Sequence, residues 1–128
     1  MSEQNLDAVE AIFERWRAGD SALDAFDPAI EWDARHFPDG QIYHGHEGVQ
    51  EFIRTWIGTW DDYDIEVEAL HDAGDQVVVL TRERGLGKGS NVPMEVSGAM
   101  IVTLSEGKVI RWRAFLERAE AMEEAGLA

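Results

Sequence analysis

Between Leu6 and Trp16 the apolar residues Leu6, Val9, Phe13 and Trp16 recur at helical spacing, Ile12 widens the stripe, and Glu10, Glu14, Arg15 and Arg17 occupy other faces. This period predicts an amphipathic helix that ends at Gly19. Asp20 and Ser21 are placed to cap a short second helix through Phe26, which Asp27-Pro28 stops. Ala29 to Arg35 alternates Ile30 and Trp32 with Glu31 and Asp33, the period of a short strand. Phe37-Pro38-Asp39-Gly40 reads as a turn, and Tyr43 to Gly45 leads into a longer helix. There Val49, Phe52, Ile53, Trp56, Ile57 and Trp60 form a wide apolar stripe, the strongest helical pattern in the chain.

From Tyr63 the period changes to two. Tyr63 to His71 and Gln76 to Arg84 read as strands joined by the tight turn Asp72-Ala73-Gly74-Asp75. Gly85 to Ser90 is a glycine-rich connection, read as a flexible loop over the site. Pro93 to Leu104 and Lys108 to Leu116 are two further strands, joined at Ser105-Glu106-Gly107. Glu117 to Ala125 predicts a final short helix that ends at Gly126. Early helices followed by a meander of strands predict an α+β domain with helices on one face of an antiparallel sheet.

The chain of 128 residues, with no linker or repeat, predicts a single domain over residues 1–128. Hydrophobic residues make up 45% of it, as in a globular protein, and no apolar run is long enough to span a bilayer. The first residues, Met1-Ser2-Glu3-Gln4-Asn5, carry no basic segment leading into an apolar one. With no cysteine, thiolate catalysis and disulfides are excluded, and the cytoplasm is the expected setting. A formal charge of -15 repels phosphate backbones, so neither nucleic acid nor membrane is an expected partner.

Four stretches in this order resemble the nuclear transport factor 2-like superfamily. They are Arg17-Ala18-Gly19-Asp20, Phe26-Asp27-Pro28-Ala29-Ile30-Glu31-Trp32, Tyr43-His44-Gly45-His46-Glu47-Gly48-Val49 and Gly107-Lys108-Val109-Ile110-Arg111-Trp112. The superfamily includes ketosteroid isomerases, SnoaL-like polyketide cyclases and limonene epoxide hydrolases, and the chain is most similar to the SnoaL-like group. Arg82-Glu83-Arg84-Gly85-Leu86-Gly87-Lys88-Gly89-Ser90 and Leu116-Glu117-Arg118-Ala119-Glu120-Ala121 fit that group as well. The resemblance implies a cone: a strongly curved antiparallel sheet with helices on its concave face and a small apolar pocket between them. It also implies a homodimer formed through the sheet. Function does not follow from such a fold alone.

The resemblance to ketosteroid isomerase places a general base at Asp33, near the end of the first strand. That enzyme's oxyanion donors do not carry over, since their positions fall at Ile12 and Met100. The acid that many SnoaL-like relatives hold on the last strand falls at Ala114. An epoxide-hydrolase-like hydration needs an Asp-Arg-Asp cluster, for which Arg82 supplies the cation beside only one plausible acid. His36, next to Phe37, is a further acid/base or donor candidate. Catalytic candidates are therefore Asp33, His36 and Arg82, and the pocket candidates are Trp32, Tyr43, Phe52, Trp56, Trp60, Met100 and Trp112. If Trp112 points inward, alternation turns Ile110, Ala114 and Leu116 inward too, with Val109, Arg111, Arg113 and Phe115 outward.

His44-Gly45-His46-Glu47 holds metal-ligand types, but histidines two apart at a strand-to-helix boundary point away from each other, so no metal is expected. Gly85-Leu86-Gly87-Lys88-Gly89-Ser90 has the wrong spacing for a phosphate loop, and no cofactor is expected. A small hydrophobic metabolite is the expected ligand, with isomerase- or cyclase-type proton transfer as one reading. A non-catalytic binding or dimerisation domain is the other.

Overall fold

A computed structural model describes residues 2–37 and 40–127. Met1, Ala128 and two residues of the expected turn, Pro38 and Asp39, lie outside the described residues. The order is α1 (Ser2–Arg17), a 3-10 turn (Leu23–Ala25), β1 (Phe26–Asp33), β2 (Ile42–His44), α2 (Gly45–Ile57), β3 (Trp60–Ala73), β4 (Gln76–Gly87), β5 (Pro93–Ser105), β6 (Lys108–Phe115) and α3 (Arg118–Glu124). The expected second helix is thus a single 3-10 turn, and β2 is a strand that the pattern did not reveal. Three residues are too few to display a period.

The α+β class holds, built on one six-stranded sheet in the order β2-β1-β6-β5-β4-β3. Its two edges, β2 and β3, do not meet, so the curved sheet stays open. Successive hairpins set β3 to β6 antiparallel, but β1 joins β6 parallel, Trp32 opposite Trp112. The sheet is therefore mixed and not antiparallel throughout. Three hairpins fix the direction of β6, and β1 lies along its free edge in the same direction.

Alternation divides the sheet into two faces. On the inner face Val77, Val79, Met100, Val102, Trp112 and Ala114 pack with Val9, Ile12 and Phe13 of α1 and with Val49 and Phe52 of α2. On the outer face Val78, Ala99, Ile101 and Phe115 pack against Ala121 and Met122 of α3. So α1 and α2 lie on the expected face, whereas α3 covers the opposite one. Arg118 fastens α3 there, donating from Nε to the Gly98 carbonyl at 3.1 Å and from a terminal nitrogen to the Thr81 carbonyl at 2.8 Å.

A bulge shifts the β5–β6 register between Thr103 and Leu104. It leaves Val109 in the inner core and Ile110 38% exposed, the reverse of the simple alternation expected for these two. The glycine-rich stretch is not a loop throughout: β4 continues through Gly87 and pairs with β3 as far as Trp60. Gly85 is required there, because a Cβ at this position would lie 2.8 Å from Trp60 Cβ.

Candidate functional site

The inner core is solid at one end and hollow at the other. Trp16, Phe26, Trp32 and Trp112 fill the solid end; Trp32 and Trp112 stack at 4.9 Å between centroids with planes 3° apart. Towards the C-terminal ends of α1 and α2 the sheet diverges from the helices and leaves a partly open cavity of about 720 Å³. That volume suits a small organic molecule. Trp16, Trp32, Phe37, Phe52, Trp56 and Met100 are among the residues that line it, and so is Ala114.

Among the described carboxylates that line this space, one is buried. Glu83 on β4 is 2% exposed and lines the cavity. Trp56 Nε1 donates to its Oε1 at 2.9 Å, and the Tyr63 hydroxyl donates to the same oxygen. Tyr63 also lines the cavity, and its phenol is pushed well above the ordinary value, by burial first and then by the charge of Glu83. Tyr63 therefore remains a neutral donor at physiological pH. Trp32 Nε1 is buried and has no hydrogen-bond partner among the described residues.

The cavity mouth is polar. Arg17, Arg54, Asp20 and Asp64 border it. Arg17 reaches the Ile65 carbonyl at 3.4 Å, and Arg15 binds Asp20 at 3.0 Å, which holds that carboxyl below the ordinary aspartate value.

Of the expected pocket residues, Trp32, Phe52, Trp56 and Met100 line the cavity. Tyr43, Trp60 and Trp112 stand behind it: Tyr43 packs edge-on to Phe52, Trp60 edge-on to Trp56, and Trp112 flat on Trp32. Asp33, His36 and Arg82 are not among the described residues that line it. Trp32 faces inward, so strand alternation turns its neighbour Asp33 to the outer face. There Arg35 binds Asp33 at 2.8 and 3.0 Å, and its backbone N–H adds a third bond at 3.0 Å. His36 stacks on Phe115 and lies 3.5 Å from Glu120. Arg82 does find two acids, Glu68 at 3.2 Å and Glu95 at 3.8 Å, but on the outer face, away from the cavity. His46 binds the Phe26 carbonyl at 2.8 Å through Nε2.

The same alternation identifies the residue the sequence reading passed over. Val77 and Val79 face inward, and two-residue steps along β4 carry that face to Thr81 and Glu83. Between two outward arginines, Glu83 reads in sequence as one charge of an Arg-Glu-Arg run on a solvated strand. Tyr63 gave no signal beyond its place at the start of a strand.

The Arg35 guanidinium holds the Asp33 carboxyl below its ordinary value, against the opposing effect of burial. A folded value lower than the unfolded one gives stability that is full above about pH 4 and is lost as pH falls through the folded value. Asp33→Asn is expected to cost about 1.5–3 kcal/mol at pH 7. That cost should shrink in acid, while ligand uptake by the cavity stays the same. Chemical denaturation at two pH values checks this, and a cost independent of pH would refute the ion-pair account.

The family model for the SnoaL-like domain matches residues 9–112. Among solved structures, a protein from Jannaschia sp. CCS1 assigned to the SnoaL-like polyketide cyclases is 26% identical and superposes with a TM-score of 0.77 over 100% of this chain and 94% of that one. TerC, crystallised with polyporic acid, shares the fold at 20% identity and a TM-score of 0.76, covering 95% of this chain and 97% of that one. Dynein axonemal assembly factor 3 of Macaca fascicularis is 32% identical over 114 residues, 84% of this chain. The chain spans only 18% of the length of that curated relative.

Proposed function

Since the chain belongs to the SnoaL-like domain family, within the nuclear transport factor 2-like superfamily, we propose that its cavity binds a small ring-bearing metabolite and that Glu83 moves a proton on it. The observation that carries this reading is a buried carboxylate inside an apolar cavity, oriented through one oxygen by Trp56 and Tyr63. Among the described residues no donor pairs with Oε2, which leaves that oxygen for the ligand. As a base, Glu83 takes a proton from an acidic C–H beside a carbonyl, becomes a carboxylic acid, and returns the proton to another atom of the same molecule. The reaction is an isomerisation or ring closure that consumes no second reagent. The polyketide-cyclase assignment of the Jannaschia protein is consistent with an organic ligand of this kind.

A homodimer through the outer face of the sheet has to form around α3, which occupies the apolar centre of that face.

Binding is tested with a panel of 1-indanone, 1-tetralone and 2-naphthol. A ligand at about ten times its Kd stabilises the fold by about 1.4 kcal/mol, a rise in Tm of a few degrees for a domain of this size. The indole resonances of Trp16, Trp32 and Trp56 should move with it. An unchanged Tm together with unmoved indole signals for the whole panel would sink the reading.

A further inference from the structure

We infer that the molecule this cavity takes is a cation, a protonated or quaternary amine carried on a ring-bearing skeleton. The inference rests on the binding reading above and adds the charge of the ligand. It begins from the partners of Glu83. Both donors to Oε1, the Trp56 indole and the Tyr63 phenol, are neutral. Among the described residues Glu83 has no ion-pair partner. Its chain neighbours Arg82 and Arg84 face the outer side, where Arg82 binds Glu68 and both reach Glu95. The contrast with Asp33 is direct: that carboxylate is as deeply buried, and Arg35 neutralises it. A carboxylate withdrawn from water without a counter-charge is costly, and a cation entering the cavity offsets that cost.

The surrounding wall suits the same guest. Trp16, Trp32, Phe52 and Trp56 line the space that Glu83 enters, and the faces of such rings attract an ammonium group that has shed its water. The formal charge of -15 draws cations towards the whole molecule and speeds their arrival. Arg17 and Arg54 at the mouth oppose them, but both are exposed, and Asp20 and Asp64 stand beside them. Exposed charges are screened by salt, whereas the buried carboxylate is screened far less.

The test uses two probes of the same shape, benzyltrimethylammonium and its neutral carbon isostere neopentylbenzene, with 1-naphthalenesulfonate as the anionic arm. By calorimetry or indole NMR, the cation is expected to bind at least about 10-fold more tightly than the isostere. In Glu83→Gln, which keeps an acceptor for Trp56 and Tyr63, that ratio should fall several-fold, to the part the aromatic faces supply, while the isostere binds as before. In the unaltered protein the ratio should persist between about 0.05 and 0.5 M salt, a measurement that holds even if the variant does not fold. Equal binding of cation and isostere overturns the charge assignment and leaves the binding reading standing. A preference undiminished in Glu83→Gln, or one that disappears with salt, assigns the attraction elsewhere than to Glu83 and also overturns it. Tightest binding of the sulfonate overturns it in favour of Arg17 and Arg54. If no probe binds, the cavity reading falls as well.

Discussion

Trp112→Ala is expected to lower the stability of the domain by about 3–5 kcal/mol, a large part of the total available to a chain of this size. Trp112 is fully buried and stacks flat on Trp32. Its ring also meets Phe13 at 5.7 Å, Trp16 at 5.4 Å and Phe26 at 5.9 Å, so removing it leaves a void bounded by four other aromatic side chains. Those neighbours belong to two different elements, α1 and the opposite ends of β1, and they cannot collapse together without moving a helix. The indole also donates to Met100 Sδ at 3.0 Å, which ties β6 to the cavity wall on β5. Trp112→Phe should recover much of the loss, because it keeps a ring on Trp32 and gives up only the hydrogen bond and part of the area. Urea denaturation measures both variants. A midpoint for the alanine variant close to that of the parent would mean that this aromatic cluster does not hold the sheet to α1.

The same cluster explains how much of the architecture could be read in the sequence. Helix α2 announces itself through Val49, Phe52, Ile53 and Trp56, and the meander through a period of two with turns at Gly74 and Gly107, because each of these elements buries one continuous face. The parallel pairing of β1 with β6 involves residues 80 apart in the chain, Glu31 with Arg111 and Trp32 with Trp112. No local pattern encodes which strand a neighbour will be, so the mixed sheet was not legible. The position of α3 has the same cause: its apolar residues Ala121 and Met122 are few, and either face of the sheet would satisfy them. Ile110 and Val109 changed places because a bulge adds one residue, and periodicity arguments assume that none is added.

The site was half legible for a related reason. Apolar wall residues are found by hydrophobic pattern, and Trp32, Phe52, Trp56 and Met100 were. A polar group that enters a cavity from a strand breaks the pattern that would reveal it. Glu83 interrupts the run of inward residues Val77, Val79 and Thr81, whereas Asp33 sits at an expected family position but on the opposite parity to Trp32. Applying the alternation to β1 as strictly as to β6 separates Asp33 from Trp32 without any coordinates.

The assignment of the base therefore comes down to two carboxylates that a pair of isosteric variants tells apart. Glu83→Gln should fold, since the amide oxygen still accepts from Trp56 and Tyr63, and it should bind a neutral ring compound as the parent does. Once a substrate is in hand, its turnover should fall by about 10²–10⁴, the usual contribution of a positioned general base. The loss should appear in kcat with KM for a neutral substrate little changed, because the group acts on the proton and not on the apolar skeleton. Tyr63→Phe should cost less, since Trp56 still holds Oε1 after the phenol is gone. Asp33→Asn is the decisive comparison, because its carboxylate is engaged by Arg35 on the outer face. If Asp33→Asn abolishes turnover at full stability while Glu83→Gln retains it, the base is the strand-end carboxylate and the role given to Glu83 is wrong. If the loss follows Glu83, then the proton is moved from β4, at the centre of the aromatic cavity, and not from the strand where the isomerases place their base.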